Sequence, residues 1–275
     1  MFDYHVHTEF SVDCKVPMAD SCRAAIAAGI TEIAFTDHVE HQPADLGYGY
    51  YRPDDYFREL EKVRAEFGDR LTILAGAEVD FHLETADEVA KFIDRYADRY
   101  DFIIGSVHYA SGGEIIFPEH FDGRTLDEVF LPYFDQIQAA VETGWFNVIG
   151  HLDIPKRYLP RTHRTYNPVV YRERLQPIFK AMIEKGVGFE INTSGLRQAP
   201  KTSMPGPAIV RWYAEAGGTL ITTGTDSHSA QTVGSGVAKT LDMLELCGIT
   251  SVASFRGRKS TLVPIAELRP AASET

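Results

Sequence analysis

Two histidines lie two positions apart near the start of the chain, in the stretch YHVHTEF at residues 4–10. In a β-strand, side chains alternate between the two faces, so His5 and His7 share a face and Val6 lies on the other. Two neutral imidazoles held side by side supply half of a metal site. The same spacing also fits a pair of ordinary, partly buried histidines, so the rest of the chain must distinguish the two interpretations.

Further polar residues follow the apolar runs of the chain, at the point where each predicted strand ends. Six of the ten histidines lie at such ends, together with several carboxylates. Because the carboxyl ends of the strands in an α/β barrel form one ring, this distribution predicts a single shared site. In chain order the strand-end residues are His5, His7 and Asp13; Asp37 and His38; Glu78; His108; His151 and Asp153; Glu190 and Asn192; Asp226 and His228. The four other histidines are predicted to lie on the surface: His41, His82, His120 and His163.

Imidazole and carboxylate ligands suit zinc, manganese or iron, and the lack of cysteine among them argues against a structural zinc cluster. One ion takes three or four protein ligands, so a set of nine implies two or three ions, with Glu78 able to bridge two of them. A hydrogen-bonded structural role fits any one of the histidines equally well, so the metal prediction depends on the whole set. The predicted ligands are His5, His7, Asp13, His38, Glu78, His108, His151, Asp226 and His228.

Short apolar runs alternate with longer amphipathic segments, and these predict the elements that position the site. The runs are rich in Ile, Val, Phe or Thr, which is typical of buried parallel strands. About seven strand-then-helix repeats favour an α/β fold. Polar residues at nearly every strand end favour a closed or nearly closed barrel over an open doubly wound sheet. The predicted strands are 2–8, 32–38, 71–81, 101–109, 146–153, 188–195 and 219–228. The predicted helices are 17–29, 54–67, 85–98, 125–143, 168–185 and 205–216.

Proline and glycine mark the boundaries of these helices. Pro17 and Pro168 stand where a first helical turn accepts proline. A glycine follows most of the amphipathic segments, at the position where a left-handed C-cap is expected. The glycines predicted to have this role are Gly29, Gly68, Gly144, Gly186 and Gly217.

Composition sets the broad class of the protein. The chain has 275 residues, 44% of them hydrophobic, and no Pro/Ser-rich linker, so we predict one domain over residues 1–275. Its 27 basic and 39 acidic residues give a net charge of -12 without any Lys/Arg run. This balance argues against a nucleic-acid or membrane partner. Composition leaves the oligomeric state open.

Cysteine usage and targeting signals indicate a cytoplasmic protein. Cys14, Cys22 and Cys247 are odd in number and lack CxxC spacing, so they do not form a disulfide framework. No basic segment followed by an apolar one resembles a signal peptide. No apolar stretch approaches the roughly 18 residues that span a bilayer.

The motifs YHVHTEFSVD, FTDHVE, GAEVDF, GSVHY, IGHLD, NTSGLR and GTDSH occur in this order over residues 4–228. This series resembles the PHP (polymerase and histidinol phosphatase) superfamily, and within it the monofunctional histidinol-phosphate phosphatases. The resemblance implies a distorted (βα)7 TIM-like barrel, the PHP fold, with three divalent or transition metal ions (Zn, Mn or Fe).

The resemblance also implies how nine residues divide among the three ions. Some family members have a histidine where Asp13 stands, so the stretch FSVD resembles the branch that uses aspartate. The implied sets are His5, His7, Glu78 and Asp226 for one ion; Glu78, His108 and His151 for a second; and Asp13, His38 and His228 for the third.

The segments GHLDIPKRY and NTSGLR resemble the phosphatase branch in particular and imply that Arg157 and Arg197 bind phosphate. A guanidinium fork matches the oxygens of a phosphate group. Arg161 is the alternative to Arg157, and a surface salt bridge is the alternative role for each arginine. The implied substrate is a small phosphate ester, L-histidinol phosphate, which is hydrolysed to L-histidinol and phosphate.

Metal ions account for most of the expected chemistry, because phosphate monoesters hydrolyse very slowly unaided. Water that bridges two ions drops in pKa from about 15.7 toward ~7, and the resulting hydroxide attacks phosphorus. The arginines offset charge on the phosphoryl oxygens. Asp226 or His228 is expected to relay a proton to the leaving oxygen, and the sequence does not choose between them.

The other end of such a substrate carries a positive amine and an imidazole. The loops after the strands offer acids and aromatics that suit a cation, although solvated loop charges are the default interpretation of the acids. We also expect residues 46–56 to form a loop that covers the site. The candidate loop residues are Glu40, Asp45, Glu114, Glu119, Tyr48, Tyr50, Tyr51 and Phe117.

Three other functions fit parts of the pattern. A PHP-type nuclease or nucleotide phosphoesterase uses the same metals, but the charge of -12 and the lack of a basic groove argue against it. A non-enzymatic metal-binding module would show degenerate ligands, whereas all nine positions hold competent residues. An amidohydrolase-type barrel would usually need fewer metals and a carboxylated lysine or a single catalytic aspartate, and no lysine is predicted at a strand end.

Overall fold

A nearly closed barrel of seven parallel strands forms the centre of the computed structural model, which describes residues 1–110, 113–160 and 166–269. The barrel strands follow the order β1-β2-β4-β5-β8-β9-β10, and β3 adds to the end of β4. The predicted barrel of seven parallel strands is confirmed. The strands are β1 (Phe2–Val6), β2 (Glu32–Phe35), β3 (His38–Val39), β4 (Thr72–Asp80), β5 (Phe102–Ser106), β6 (Tyr109–Ala110), β7 (Gly113–Glu114), β8 (Val148–Ile149), β9 (Gly188–Asn192), β10 (Ile221–Gly224), β11 (Ser251–Arg256) and β12 (Lys259–Pro264).

The barrel closes where the first strand meets the segment that follows the last one. The backbone N–H of His7 donates to the carbonyl of Ser227 at 2.9 Å, and that of Asp226 donates to the carbonyl of His5 at 2.7 Å. Further down, the Thr223 hydroxyl donates to the carbonyl of Phe2 at 2.8 Å. Residues more than 200 positions apart in the sequence therefore become neighbours at the carboxyl edge of the sheet.

Helices follow most of the barrel strands and cover the sheet, as the alternating pattern predicts. Thr125 and Glu128 form a reciprocal capping box at the start of α4, and α4 and α6 end at Gly144 and Gly186, both left-handed. The helices are α1 (Met18–Ala27), α2 (Pro53–Phe67), α3 (Ala86–Tyr96), α4 (Leu126–Thr143), α5 (Pro155–Tyr158), α6 (Arg172–Lys185), α7 (Ser194–Arg197), α8 (Pro207–Glu215), α9 (Val237–Leu246) and α10 (Ile265–Leu268).

Two features differ from the sequence predictions. Gly68 ends α2 with φ -65°, so the left-handed cap predicted there is wrong, whereas Gly29 and Gly217 have the expected positive φ. Gly68 simply continues the right-handed turn, and its N–H donates to the carbonyl of Arg64. The predictions also stop at residue 228 and so omit α9 and the β11–β12 hairpin.

The β11–β12 hairpin packs against strands of the barrel. The backbone N–H of Phe255 donates to the Tyr4 hydroxyl at 2.9 Å, and the Arg256 guanidinium pairs with Glu32 at 2.5 Å. Phe255 also packs its ring 5.0 Å from that of Phe102, in the buried core. Among the described residues, no helix combines the length and apolar character needed to cross a bilayer.

Candidate metal centre

His5 and His7 project from the end of β1 toward the same point, as their spacing predicts. Their Nε2 atoms lie 3.0 Å apart, and both side chains are fully buried. The other ring nitrogen of each histidine contacts a residue outside the proposed ligand set. Nδ1 of His5 lies 2.7 Å from Glu190, and Nδ1 of His7 lies 2.9 Å from the Ser11 hydroxyl. Both Nε2 atoms therefore face the interior of the site.

Glu78 on β4 faces the same point, and its Oε2 atom lies among three imidazoles. The distances are 3.2 Å to Nε2 of His5, 3.5 Å to Nε2 of His7 and 3.0 Å to Nδ1 of His38. The parallel pairing of β3 with β4 sets His38 directly beside Glu78 in register. Strand pairing thus fixes the carboxylate in the middle of the histidines.

The other oxygen of Glu78, Oε1, lies among a second group. It accepts a hydrogen bond from the Ser106 hydroxyl at 2.6 Å and lies 2.9 Å from Nε2 of His151 and 3.5 Å from Nε2 of His108. Each oxygen of one buried carboxylate therefore contacts a different set of imidazoles. This arrangement is the one that a bridging carboxylate needs.

Asp226 and His228 follow β10 and reach the site from the closing segment of the barrel. Oδ1 of Asp226 lies 3.4 Å from Nε2 of His7, and the ring of His228 stacks on that of His7 with centroids 4.0 Å apart. Asp226 has φ 52°, a left-handed backbone conformation that is uncommon for a non-glycine residue. Such strain is found at functional sites.

Asp13 lies at the rim of the site, with a half-exposed side chain. Its Oδ2 atom lies 3.0 Å from Nε2 of His228 and 3.7 Å from Nε2 of His38. With Asp13 included, the structure brings together all nine residues that the sequence analysis proposes as ligands.

The donor set fits divalent transition metals. Within the proposed ligand set, three groups of three residues each offer ligand atoms within 4.8 Å of one another, and these groups overlap in His7, His38 and Glu78. A fourth group joins His108 to Glu40 and Asp80. Oε2 of Glu78, Nδ1 of His38 and Nε2 of His228 are buried and form no hydrogen bond of regular geometry, although each lies 3.0 Å from an oppositely charged neighbour. Orphaned buried polar atoms are costly, and coordination to cations would satisfy them. The three groups within the ligand set are His5, His7 and Glu78; His38, Glu78 and His108; and His7, His38 and His228.

Burial and neighbouring charges shift the pKa values of the proposed ligands. Burial, followed by the neighbouring imidazoles of His228 and His38, lowers the pKa of His7 to about 3. Burial opposes ionisation of Glu78, but the charges of His5 and His38 lower its pKa well below the usual range. His7 is therefore neutral and Glu78 is a carboxylate, the two forms that ligate metal.

His38 and His108 show the opposite shift in the metal-free protein. Burial disfavours their charged forms, but Glu78 chiefly raises the pKa of His38 well above the usual value, with Asp13 adding to it. Glu40 does the same for the pKa of His108. These two imidazoles hold protons that a metal ion must displace.

Three groups outside the proposed ligand set orient its imidazoles. Glu190 lies 2.7 Å from Nδ1 of His5. Asp37 accepts a hydrogen bond from the Ser11 hydroxyl at 2.9 Å and so fixes the partner of His7. Oε1 of Glu40 lies 3.0 Å from Nδ1 of His108. Asp153 has a different role, because it forms a buried pair with Lys156 at 2.7 Å.

Ser11 was not among the predicted site residues, and Glu40 was predicted only as a loop acid, either solvated or near the substrate. The stretch FSVD contains a hydroxyl four residues after His7, but nothing in the pattern shows that it faces the ring. Glu40 contacts an imidazole 68 positions away, and that proximity comes from the parallel sheet alone.

The two arginines are placed differently. Arg157 on α5 lines the central cavity, where its Nη1 atom lies 3.3 Å from Oδ2 of Asp226. Arg197 at the end of α7 donates to the carbonyl of Thr225 at 2.7 Å, and its Nη1 atom is buried without a partner. Arg161 lies outside the described residues.

A cavity of about 230 Å³ opens above the site. His5 and His7 lie too deep to reach it. Leu46, from the predicted covering loop over residues 46–56, also lines the cavity and is 88% exposed. Only the first part of that predicted loop is irregular, because helix α2 begins at Pro53. Seven of the nine proposed ligands line the cavity: Asp13, His38, Glu78, His108, His151, Asp226 and His228.

The surface prediction for the other histidines is wrong for His120, which is 1% exposed and packs its ring 5.1 Å from that of Phe121. The 3₁₀ turn at Pro118–His120 folds this side chain inward. His41 and His82 are partly buried, and His163 lies outside the described residues.

Comparison with known proteins places these features in a family. The PHP domain family matches residues 3–194. The histidinol-phosphatase of Lactococcus lactis is 31% identical over 94% of this chain and 95% of its own length. The histidinol-phosphatase of Bacillus subtilis is 26% identical over 84% of this chain and 95% of its own length. The crystal structure of the Lactococcus lactis histidinol phosphate phosphatase, complexed with zinc, L-histidinol and phosphate, matches with a TM-score of 0.86. At 30% identity, that match covers 94% of this chain and 98% of the other.

Proposed function

The chain belongs to the PHP family, and we propose that it is a metal-dependent phosphatase that hydrolyses L-histidinol phosphate to L-histidinol and phosphate. One observation carries the proposal: six imidazoles and three carboxylates converge at one site, and seven of the nine side chains line the cavity above it. Its support is the 30% identity over nearly the whole chain to a protein whose structure holds zinc, L-histidinol and phosphate.

We infer that the centre takes three divalent transition ions, zinc, manganese or iron. The two oxygens of Glu78 contact separate groups of imidazoles, which supports a bridging role between two of the ions. When bound, such ions lower the pKa of coordinated water and neutralise charge on phosphoryl oxygens. The proposed holders are His5, His7, Glu78 and Asp226 for one ion; Glu78, His108 and His151 for the second; and Asp13, His38 and His228 for the third.

The arginines bind the phosphoryl group in this proposal. Arg157 lines the cavity and pairs with Asp226 through one nitrogen, so other N–H groups of its guanidinium remain for phosphate oxygens. The partnerless Nη1 atom of Arg197 is a buried donor, and an anion would satisfy it. The Thr225 carbonyl fixes Arg197 through its other terminal nitrogen. Arg161 stays a candidate from the sequence alone.

The leaving oxygen of the substrate must receive a proton. Asp226 and His228 both line the cavity that Arg157 also lines. We assign the proton relay to this pair, because both side chains share the space in which the ester bond would break.

Activity assays on metal-reconstituted protein test the proposal. L-histidinol phosphate, glycerol phosphate and a short oligonucleotide are compared at equal concentration. We expect the highest kcat/KM for L-histidinol phosphate. Faster cleavage of the oligonucleotide would instead assign the site to a PHP-type nuclease, and equal hydrolysis of the two small esters would assign it to a general phosphatase.

Metal analysis tests the ion count independently of turnover. We expect more than two equivalents of transition metal per chain after reconstitution and desalting. One equivalent or less would contradict the trinuclear site. His108→Ala should lower the count without changing the far-ultraviolet circular dichroism spectrum.

A further inference from the structure

The wall of the central cavity includes carboxylates that the proposed metal centre does not use. Asp45 lies in the loop before α2, and Glu114 lies on the short strand β7. Both line the same cavity as Arg157 and most of the proposed ligands. A substrate anchored at the metals by its phosphate would extend through this cavity.

Asp45 and Glu114 meet at one hydroxyl. The Tyr109 oxygen lies 2.9 Å from Oδ2 of Asp45 and 3.2 Å from Oε2 of Glu114. A phenol carries a single hydrogen and can donate it to only one of them. One of the two carboxylate oxygens therefore receives no hydrogen from the Tyr109 hydroxyl. The corner of the cavity formed by Asp45, Tyr109 and Glu114 thus lacks a hydrogen-bond donor.

No cation of the described residues neutralises the pair. Neither Asp45 nor Glu114 forms an ion pair with a lysine or arginine there, and the other contact of Asp45 is the Gly47 backbone N–H at 2.6 Å. Burial and then the charge of Asp45 raise the pKa of Glu114, the response of a carboxylate close to an uncompensated like charge.

A third carboxylate adds an independent sign of a missing donor. Glu40 lines the same cavity and is only 8% exposed. Its Oε1 atom contacts His108, but its Oε2 atom is buried and has no hydrogen-bond partner. The two half-exposed neighbours of this corner are apolar, Ile116 and Phe117, so they offer it no hydrogen.

We propose that Asp45 and Glu114 form a cation subsite that selects phosphate esters bearing a positive nitrogen at the end remote from the phosphate. The inference rests on the proposed function and extends it, because it identifies what would hold the other end of the substrate. An ammonium group offers three hydrogens and can donate to Oδ2 of Asp45 and Oε2 of Glu114 together. Phe117 and Ile116 contact the apolar part of the alcohol.

Charge-removing, shape-conserving variants test the subsite. Asp45→Asn, Glu114→Gln and the double variant are assayed on two matched pairs of esters: L-histidinol phosphate against p-nitrophenyl phosphate, and phosphoethanolamine against glycerol phosphate. The quantity measured is the ratio of kcat/KM for the cationic ester to that for the uncharged alcohol's ester. Asp122→Asn is the control, because Asp122 is exposed shortly after this segment and does not line the cavity.

We expect the ratio to fall about tenfold or more in each single variant, through KM rather than kcat, and further in the double variant. Asp122→Asn should keep the wild-type ratio. The melting temperature of the double variant shows whether it is folded. An unchanged kcat/KM ratio in the folded double variant would overturn the subsite.

The two proposals fail in different ways. A wild-type enzyme that ignores L-histidinol phosphate would overturn the proposed function, while the phosphoethanolamine and glycerol phosphate pair would still report on the subsite. If the wild-type enzyme hydrolyses L-histidinol phosphate but Asp45→Asn and Glu114→Gln leave the kcat/KM ratio unchanged, the subsite alone would be overturned.

Discussion

Oε1 of Glu190 lies 2.7 Å from Nδ1 of His5, and neither side chain reaches solvent. The second oxygen of Glu190 accepts the backbone N–H of His151 at 3.0 Å. One buried carboxylate on β9 therefore positions two proposed ligands that lie 146 positions apart. Outer groups of this kind fix the orientation and basicity of a ligating imidazole.

Glu190→Gln should weaken metal binding, because the amide keeps the size of the side chain but loses the negative charge that faces His5. We expect a roughly 10–100-fold loss of affinity for the tightest ion, measured by competition with a chromophoric chelator. The exposed Glu184→Gln on α6 serves as the control. Wild-type affinity in Glu190→Gln would limit Glu190 to packing.

Arg197→Ala should slow hydrolysis far more than it affects folding. If the guanidinium stabilises charge in the transition state, the loss is about 2–4 kcal/mol in kcat/KM, which is roughly 30–1000-fold. Arg58→Ala on the exposed face of α2 should leave kcat/KM unchanged. An unaltered rate for Arg197→Ala would restrict the residue to its contact with the Thr225 carbonyl.

The metal-free protein should lose stability as the pH rises. The pKa values of His38 and His108 are raised well above 6.5 in the metal-free state. The stability they contribute is fully present below pH 6.5 and is lost as the pH rises through the folded-state pKa values. Chelated protein should therefore melt at a lower temperature at pH 9 than at pH 6.

Metal loading should itself release protons, because these imidazoles must lose them to coordinate. Calorimetric titrations at pH 7 in two buffers of different ionisation enthalpy measure that release directly. We expect the number of protons released to fall as the pH rises. Loading without proton release, or a chelated protein that gains melting temperature up to pH 9, would contradict the charge states derived for the site.

Gly224→Ala should displace Glu190 and His5 and so disturb the proposed metal site. A methyl group at this position of β10 would overlap Oε1 of Glu190 and Cβ of His5. We expect a loss of about 1–3 kcal/mol in the free energy of unfolding, together with weaker metal binding. The matched control is Gly206→Ala, where the nearest atom to the added methyl lies 3.4 Å away. Equal stability of the two variants, by denaturant titration, would show that the strand shifts freely.

Periodicity explains why most of the site was predictable. The i, i+2 spacing of His5 and His7 determines that they share a face, and the structure sets their Nε2 atoms 3.0 Å apart. The strand-end positions of Glu78 and His151 are likewise consequences of a parallel barrel, and these residues meet at 2.9 Å.

Loops have no such periodic pattern, so the predictions for them were wrong or could not be made. The sequence does not reveal that Asp45 meets Tyr109 across 64 positions, because that contact depends on two irregular segments. The inward turn of His120 and the right-handed φ of Gly68 are local choices settled by packing. The hairpin after α9 has no counterpart in the strand-then-helix repeat from which the barrel was inferred.

The joining of β1 to the segment after β10 has a consequence for biosynthesis. His7 leaves the ribosome some 219 residues before Asp226, its partner at 3.4 Å. At typical translation speeds that interval is roughly 10–45 s. A nascent chain lacks Asp226 and His228 throughout this time, so two of the three proposed ion sites stay incomplete until the segment after β10 has been made.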